Sequence, residues 1–187
     1  MEYSSSHSMR QRVYAGRFWS GGVISTAGVI ASLAFAQPAR AESRRHDGFY
    51  AAANIGVGYM KESDDDDRVI SLPISLWSGY TYGTVAFGGG INSNFLLYSV
   101  ALFADIYPDP KSGFHIMPSL GWGILFPTPK FHNGPVLAGG VGYDFWVGPE
   151  VSMGVMARLT YAPLHDYERE TSSQIYEPSL LYTVTYQ

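Results

Sequence analysis

Asn133–Pro163 reads NGPVLAGGVGYDFWVGPEVSMGVMARLTYAP, and its alternation decides the fold. In its first half the odd positions are Leu137, Gly139, Val141, Tyr143, Phe145 and Val147. Their even neighbours are Val136, Ala138, Gly140, Gly142, Asp144 and Trp146. Val147-Gly148-Pro149-Glu150 reads as a turn, because Gly and Pro supply the backbone angles a reversal needs. Beyond it, Val151, Met153, Val155, Ala157, Leu159 and Tyr161 alternate with Ser152, Gly154, Met156, Arg158, Thr160 and Ala162. Period-two alternation of this length means strands with two unlike faces. One face is bulky and apolar; the other is mostly small, with one Asp and one Arg. Each arm is as long as the ~9–11 residues with which a tilted strand crosses a bilayer. The stretch therefore predicts a hairpin of a transmembrane β-barrel.

The same pattern recurs outward from it. Phe49–Lys61, Arg68–Tyr82, Thr84–Asn92, Phe95–Tyr107, Phe114–Phe126 and Gln174–Gln187 all alternate. Pro73 weakens the second of these, since it cannot donate to a ladder. Between them lie Glu62–Asp67 (ESDDDD), Gly83, Asn92-Ser93-Asn94, Pro108–Gly113, Pro127–Gly134 and the charged stretch Leu164–Ser173. The count is about eight antiparallel strands in an up-and-down meander, an even number as single-chain barrels have. Connections after the second, fourth and sixth strands are tight. Those after the first, fifth and seventh are long or charged, as short periplasmic turns and longer outer loops require.

The minor face settles which side points inward. By parity it carries Asp105, His115, Asp144 and Arg158 among Gly, Ala, Ser and Thr. A water-facing surface would hold many more Lys and Glu, whereas small residues suit the interior of a narrow barrel. The bulky face carries aromatics near strand ends, including Phe49, Tyr59, Tyr80, Tyr82, Phe114, Phe126, Phe145, Tyr161 and Tyr186. These read as two interfacial girdles. A free sheet edge in lipid is too costly, so the sheet must close. Val155→Arg then puts a charge into lipid, whereas Gly154→Ser faces the lumen and is expected to be far milder.

Composition agrees. Charged residues make up 15% of the 187, against roughly 25% in soluble domains. There is no Cys, hence no disulfide framework and no thiolate metal site, and no cofactor is expected. The net charge of -4 and the lack of a basic patch argue against nucleic acid. Residues 1–41 read as a secretory signal peptide. Arg10, Arg12 and Arg17 form its basic part, Gly21–Ala36 its apolar part, and Ala39-Arg40-Ala41 an A-x-A cleavage site. Cleavage leaves eight Lys and Arg against fifteen Asp and Glu, a net -7. The predicted organisation is a signal peptide, 1–41, and one barrel domain, 42–187, with no repeat or linker.

Signal peptide, alternating strands, tight turns and the aromatic-ended last strand SLLYTVTYQ (179–187) together resemble the small outer-membrane β-barrel proteins of Gram-negative bacteria, the OmpA/OmpX type. The resemblance covers nearly the whole mature chain, as a pattern rather than a sharp motif. YPDPKSGFH (107–115) and GYDFWVG (142–148) also resemble stretches from a group of short outer-membrane β-barrel proteins. The resemblance implies a monomer in the bacterial outer membrane, in contact with membrane lipid and lipopolysaccharide and inserted by the outer-membrane assembly machinery. One departure is that the family ends in an aromatic residue, and here Gln187 follows Tyr186.

Candidate chemistry is sparse. Asp105, His115, Asp144 and Arg158 have a structural reading, a lumen network in which either Asp pairs with Arg158, because buried charges need partners. Their functional reading is a proton or substrate relay. Asp64-Asp65-Asp66-Asp67 is a candidate contact for divalent cations, which favour carboxylate oxygens. It lacks the Gly and bidentate Glu of a calcium loop, and a solvated charge run is the plainer reading. No resident metal is expected. Some small barrels modify lipid A with His, Ser and acidic residues at the outer rim. Here His132, His165, Asp166, Glu168 and Ser172 fall in outer loops, without a nucleophile motif around Ser172. The expectation is a non-enzymatic barrel with a structural or surface-interaction role. A narrow conduit for small hydrophobic molecules and a lipid A acyltransferase or deacylase are the alternatives.

Overall fold

The computed structural model describes residues 47–62, 68–109, 112–126, 132–166 and 171–187. Nine strand segments appear among them: β1 Gly48–Glu62, β2 Arg68–Ser71, β3 Ile74–Tyr82, β4 Val85–Ser93, β5 Leu97–Ile106, β6 Phe114–Leu125, β7 His132–Trp146, β8 Val151–Asp166 and β9 Thr171–Tyr186. β2 and β3 are one course broken at Leu72-Pro73, and both pair with β1: Gly58 opposes Ser71, and Ile55 opposes Ile74. Every neighbouring pair is antiparallel, and β1 also pairs with β9. The result is an eight-stranded closed antiparallel β-barrel.

The register shows how a narrow barrel admits large side chains. Along one line Ala52, Trp77, Gly90, Ala101, Gly121 and Val136 oppose one another in turn. A Cβ on Gly90 would sit 2.3 Å from the Trp77 ring, so the bare backbone of β4 is what lets the indole lie flat inside. Outward positions are apolar and exposed, among them Ile55, Val57, Phe87, Val100, Leu102, Leu120, Leu159 and Leu180. This is the inversion of a soluble barrel, and it matches the face assignment made from parity.

The two ends differ. At what we term the turn end, Gly83 takes φ 61° between Tyr82 and Val85, as a two-residue hairpin requires. At the opposite, loop end, three sequence expectations need correction. The β4–β5 turn is Asn94, Phe95 and Leu96 rather than Asn92-Ser93-Asn94: Asn92 and Ser93 still pair in β4, the Asn94 Oδ1 accepts from the Leu96 and Leu97 amides at 3.1 and 2.6 Å, and Phe95, expected to open a strand, takes φ 71°. His132 and Asn133 are not loop but the start of β7, opposing Leu125 and Ile124. Leu164–Asp166 and Thr171–Ser173 extend the β8–β9 ladder, with His165 opposite Ser172. Polar residues there continue to pair because backbone hydrogen bonding does not depend on an apolar face. The acidic run Asp64–Asp67, Glu168 and the region assigned to the signal peptide lie outside the described residues.

Candidate functional site

The site is built inside the barrel from the turn end upward. Asp105 on β5, His115 on β6 and Asp144 on β7 all face inward and are at most 2% exposed. His115 Nδ1 lies 2.7 Å from Asp105 Oδ1, and its Nε2 lies 3.7 Å from Asp144 Oδ1. Tyr50 donates to Asp105 Oδ2 at 2.9 Å. The Tyr107 hydroxyl lies 2.9 Å from Asp105 Oδ2 and 3.1 Å from Asp144 Oδ2. With a single proton it donates to one carboxylate at a time. Ser152 and Thr183 donate to Asp144, and the Gln187 amide donates to the Tyr107 oxygen at 3.2 Å. The Tyr107 ring stacks on the His115 ring at 5.2 Å and 9°.

Glycines opposite these groups make the space. A Cβ on Gly142 would lie 2.1 Å from His115 Nε2, and one on Gly154 would lie 2.2 Å from Asp144 Oδ1. The expectation that Gly154→Ser is mild is therefore corrected. The position does face the lumen, but the lumen is already full there.

Arg158 does not join this cluster. It lies four residues beyond Gly154, Asp144's partner on β8, about 13 Å along the strand. Its Nη1 donates to Ser75 Oγ and Asn92 Oδ1, each at 3.2 Å. The acidic residue at its level is Glu177, buried on the inward face of β9 opposite Thr160. The structure thus separates one predicted network into two. Glu177 is the residue that sequence reasoning missed, although counting back in twos from Gln187, Thr185, Thr183 and Leu181 reaches it.

Read along β5, β8 and β9 together, the lumen is layered. Asp105, Ser152 and Thr183 belong to the first polar layer. Phe103, Met156 and Leu181 follow in an apolar layer, packed with Trp77 and Tyr50 at ring distances of 5.1 and 5.2 Å from Phe103. Ser99, Arg158 and Glu177 form the second polar layer. Leu97, Leu164 and Ile175 form a second apolar layer at the loop end, with Leu125, Val136 and Ala162.

The rim residues do not converge. His132 is buried and inward, whereas His165 and Ser172 are exposed on the outward side of β8 and β9. Next to Ser172, Ser173 faces inward and its Oγ donates to Glu62.

A closed eight-stranded meander with an apolar exterior and a packed interior has a counterpart among solved structures. The fold is similar to that of Neisserial surface protein A. That likeness has a TM-score of 0.58 at 17% identity and covers 74% of this chain and 96% of the other. It shows the fold and nothing finer. The attachment invasion locus protein Ail of Yersinia pestis matches at 16% identity over 74% of this chain and 99% of its own, with a TM-score of 0.36. A de novo designed transmembrane β-barrel matches at 15% identity over 74% and 98%, with a TM-score of 0.33. No family model matches the sequence, and no curated protein matches it. With Neisserial surface protein A the chain shares an architecture.

Proposed function

We propose that the chain is an integral protein of the bacterial outer membrane with a structural or surface-interaction role. The observation that carries this is the layering of the lumen. Two apolar layers and two polar ones fill the interior, while the exterior is apolar where a bilayer would meet it. Such a barrel acts through its outside and its loops rather than by conducting. Neisserial surface protein A is by its name a surface protein, which agrees with a surface role. Membrane lipid and lipopolysaccharide are the expected surroundings, and the outer-membrane assembly machinery the expected route of insertion. A monomer is expected, since closure leaves no strand edge to pair.

The test is expression with residues 1–41 in place, followed by fractionation and boiled-versus-unboiled electrophoresis. A heat-dependent mobility shift in the outer-membrane fraction is expected. A soluble protein in the periplasm with no shift would overturn the proposal. Lipid A mass spectra from cells with and without the protein are expected to be identical; a changed acylation pattern would bring back the enzymatic alternative.

A further inference from the structure

Three buried polar atoms in the second polar layer have no protein partner among the described residues, and the residues that carry them line one cavity. The atoms are Arg158 Nε, Thr160 Oγ1 and Glu177 Oε1. Their side chains are 8%, 6% and 2% exposed. The ladder explains why they meet. Thr160 opposes Glu177 directly, and Arg158 is the next inward residue along β8. Asn92, Ser99 and Ser119 add polar lining. Among the described residues no direct ion pair joins Arg158 to Glu177.

The cavity leaves about 20 Å³ for the centres of water molecules. One water needs roughly 10–15 Å³ by that measure, together with two to four polar partners. A guanidinium N–H and a carboxylate oxygen left bare in a low-dielectric interior are both costly. Water relieves both at once, because it accepts and donates.

We infer that this cavity is an internal water site, in which one or two ordered waters join Arg158 Nε–H to Glu177 Oε1 with the Thr160 hydroxyl as a further partner. The occupant is water rather than an ion, since the two facing charges cancel and favour neither sign. It is water rather than an organic solute, since the space is too small. The second polar layer is then held together by a bridged ion pair rather than a direct one.

The test uses the mature chain refolded in detergent micelles with ¹⁵N-labelled arginine. Arg158→Lys assigns the Arg158 Nε–H resonance by its loss. Magnetisation transfer from water to that proton is expected, with the sign of a water held longer than the micelle takes to tumble. Thr160→Val is expected to weaken the transfer at least twofold, and Thr160→Ser, which keeps the hydroxyl, to retain it. Unboiled electrophoresis confirms that each variant is folded. No transfer in the wild type would overturn the inference, as would equal transfer in the Val and Ser variants. A crystal structure fine enough to show waters gives the second readout. Density within hydrogen-bonding distance of all three atoms is expected. A direct Arg158–Glu177 contact or an empty cavity would overturn the inference.

Discussion

At the scale of single residues, the turn-end cluster depends on what is absent opposite it. Gly154→Ser would push an atom into Asp144, whose Oδ1 stands 2.2 Å from where the Cβ would be. Overpacking of this kind costs about 1–3 kcal/mol, and a lowered urea midpoint of the refolded barrel is the expected result. Gly139→Ala is the control. Gly139 faces outward with nothing within 4 Å of its Cβ position, so its midpoint is expected to stay within about 0.5 kcal/mol of wild type. His115→Ala removes the 2.7 Å partner of Asp105. Leaving a buried carboxylate short of a hydrogen-bond partner costs about 1–3 kcal/mol, and the lost ring leaves a cavity besides, so the same titration should show a lowered midpoint; an unchanged midpoint would mean that the two groups do not support each other. The inward position of Asp105, His115 and Asp144 was legible from parity. Their clustering apart from Arg158 was not, because parity says which face a residue takes and not its height in the barrel.

At the scale of strands, β8 presents two faces that fail differently. Val155→Arg adds a charge outside, at an apolar position where mid-bilayer lipid is expected, and should cost about 2–4 kcal/mol of insertion. That loss is expected in refolding into vesicles and should shrink in detergent micelles, where the charge can reach water. The Gly154→Ser loss should be the same in both, because its cause is inside. The β4–β5 hairpin offers the opposite case. Phe95 holds φ 71°, a conformation that costs an ordinary residue roughly 1–2 kcal/mol. Phe95→Gly is expected to raise the urea midpoint in micelles, where no bilayer rewards the exposed ring. Strand number and order were legible because alternation survives wherever one face meets lipid. The upper reaches of β7, β8 and β9 were not, because polar residues on both faces read as loop. Glu177 was passed over although it lies inside the predicted last strand: the inward face was followed from Gln187 only as far as Leu181, and Glu177 stands in step with it.

At the scale of the molecule, a lumen with two apolar layers predicts silence in a planar bilayer: no conductance events above those of the lipid alone. Frequent stepwise openings would show that the layers part. The closed barrel itself was legible in the sequence, since apolar outer faces in lipid permit no free edge. The layering was not, since it arises from the stagger of eight strands rather than from any one of them. That stagger ends at a particular seam. Seven of the eight joins link courses that follow one another in the chain. The eighth, β1 to β9, brings Ala51 beside Tyr186. Closing a chain segment of that length carries an entropic cost of about 4 kcal/mol for a flexible loop, and it falls due only when the last strand arrives. The seam is thus the slow, late step of assembly, and until it forms, both flanking edges remain open to other strands. A chain shortened by β9 has no way to complete that step and should accumulate as an aggregation-prone sheet rather than as a smaller barrel.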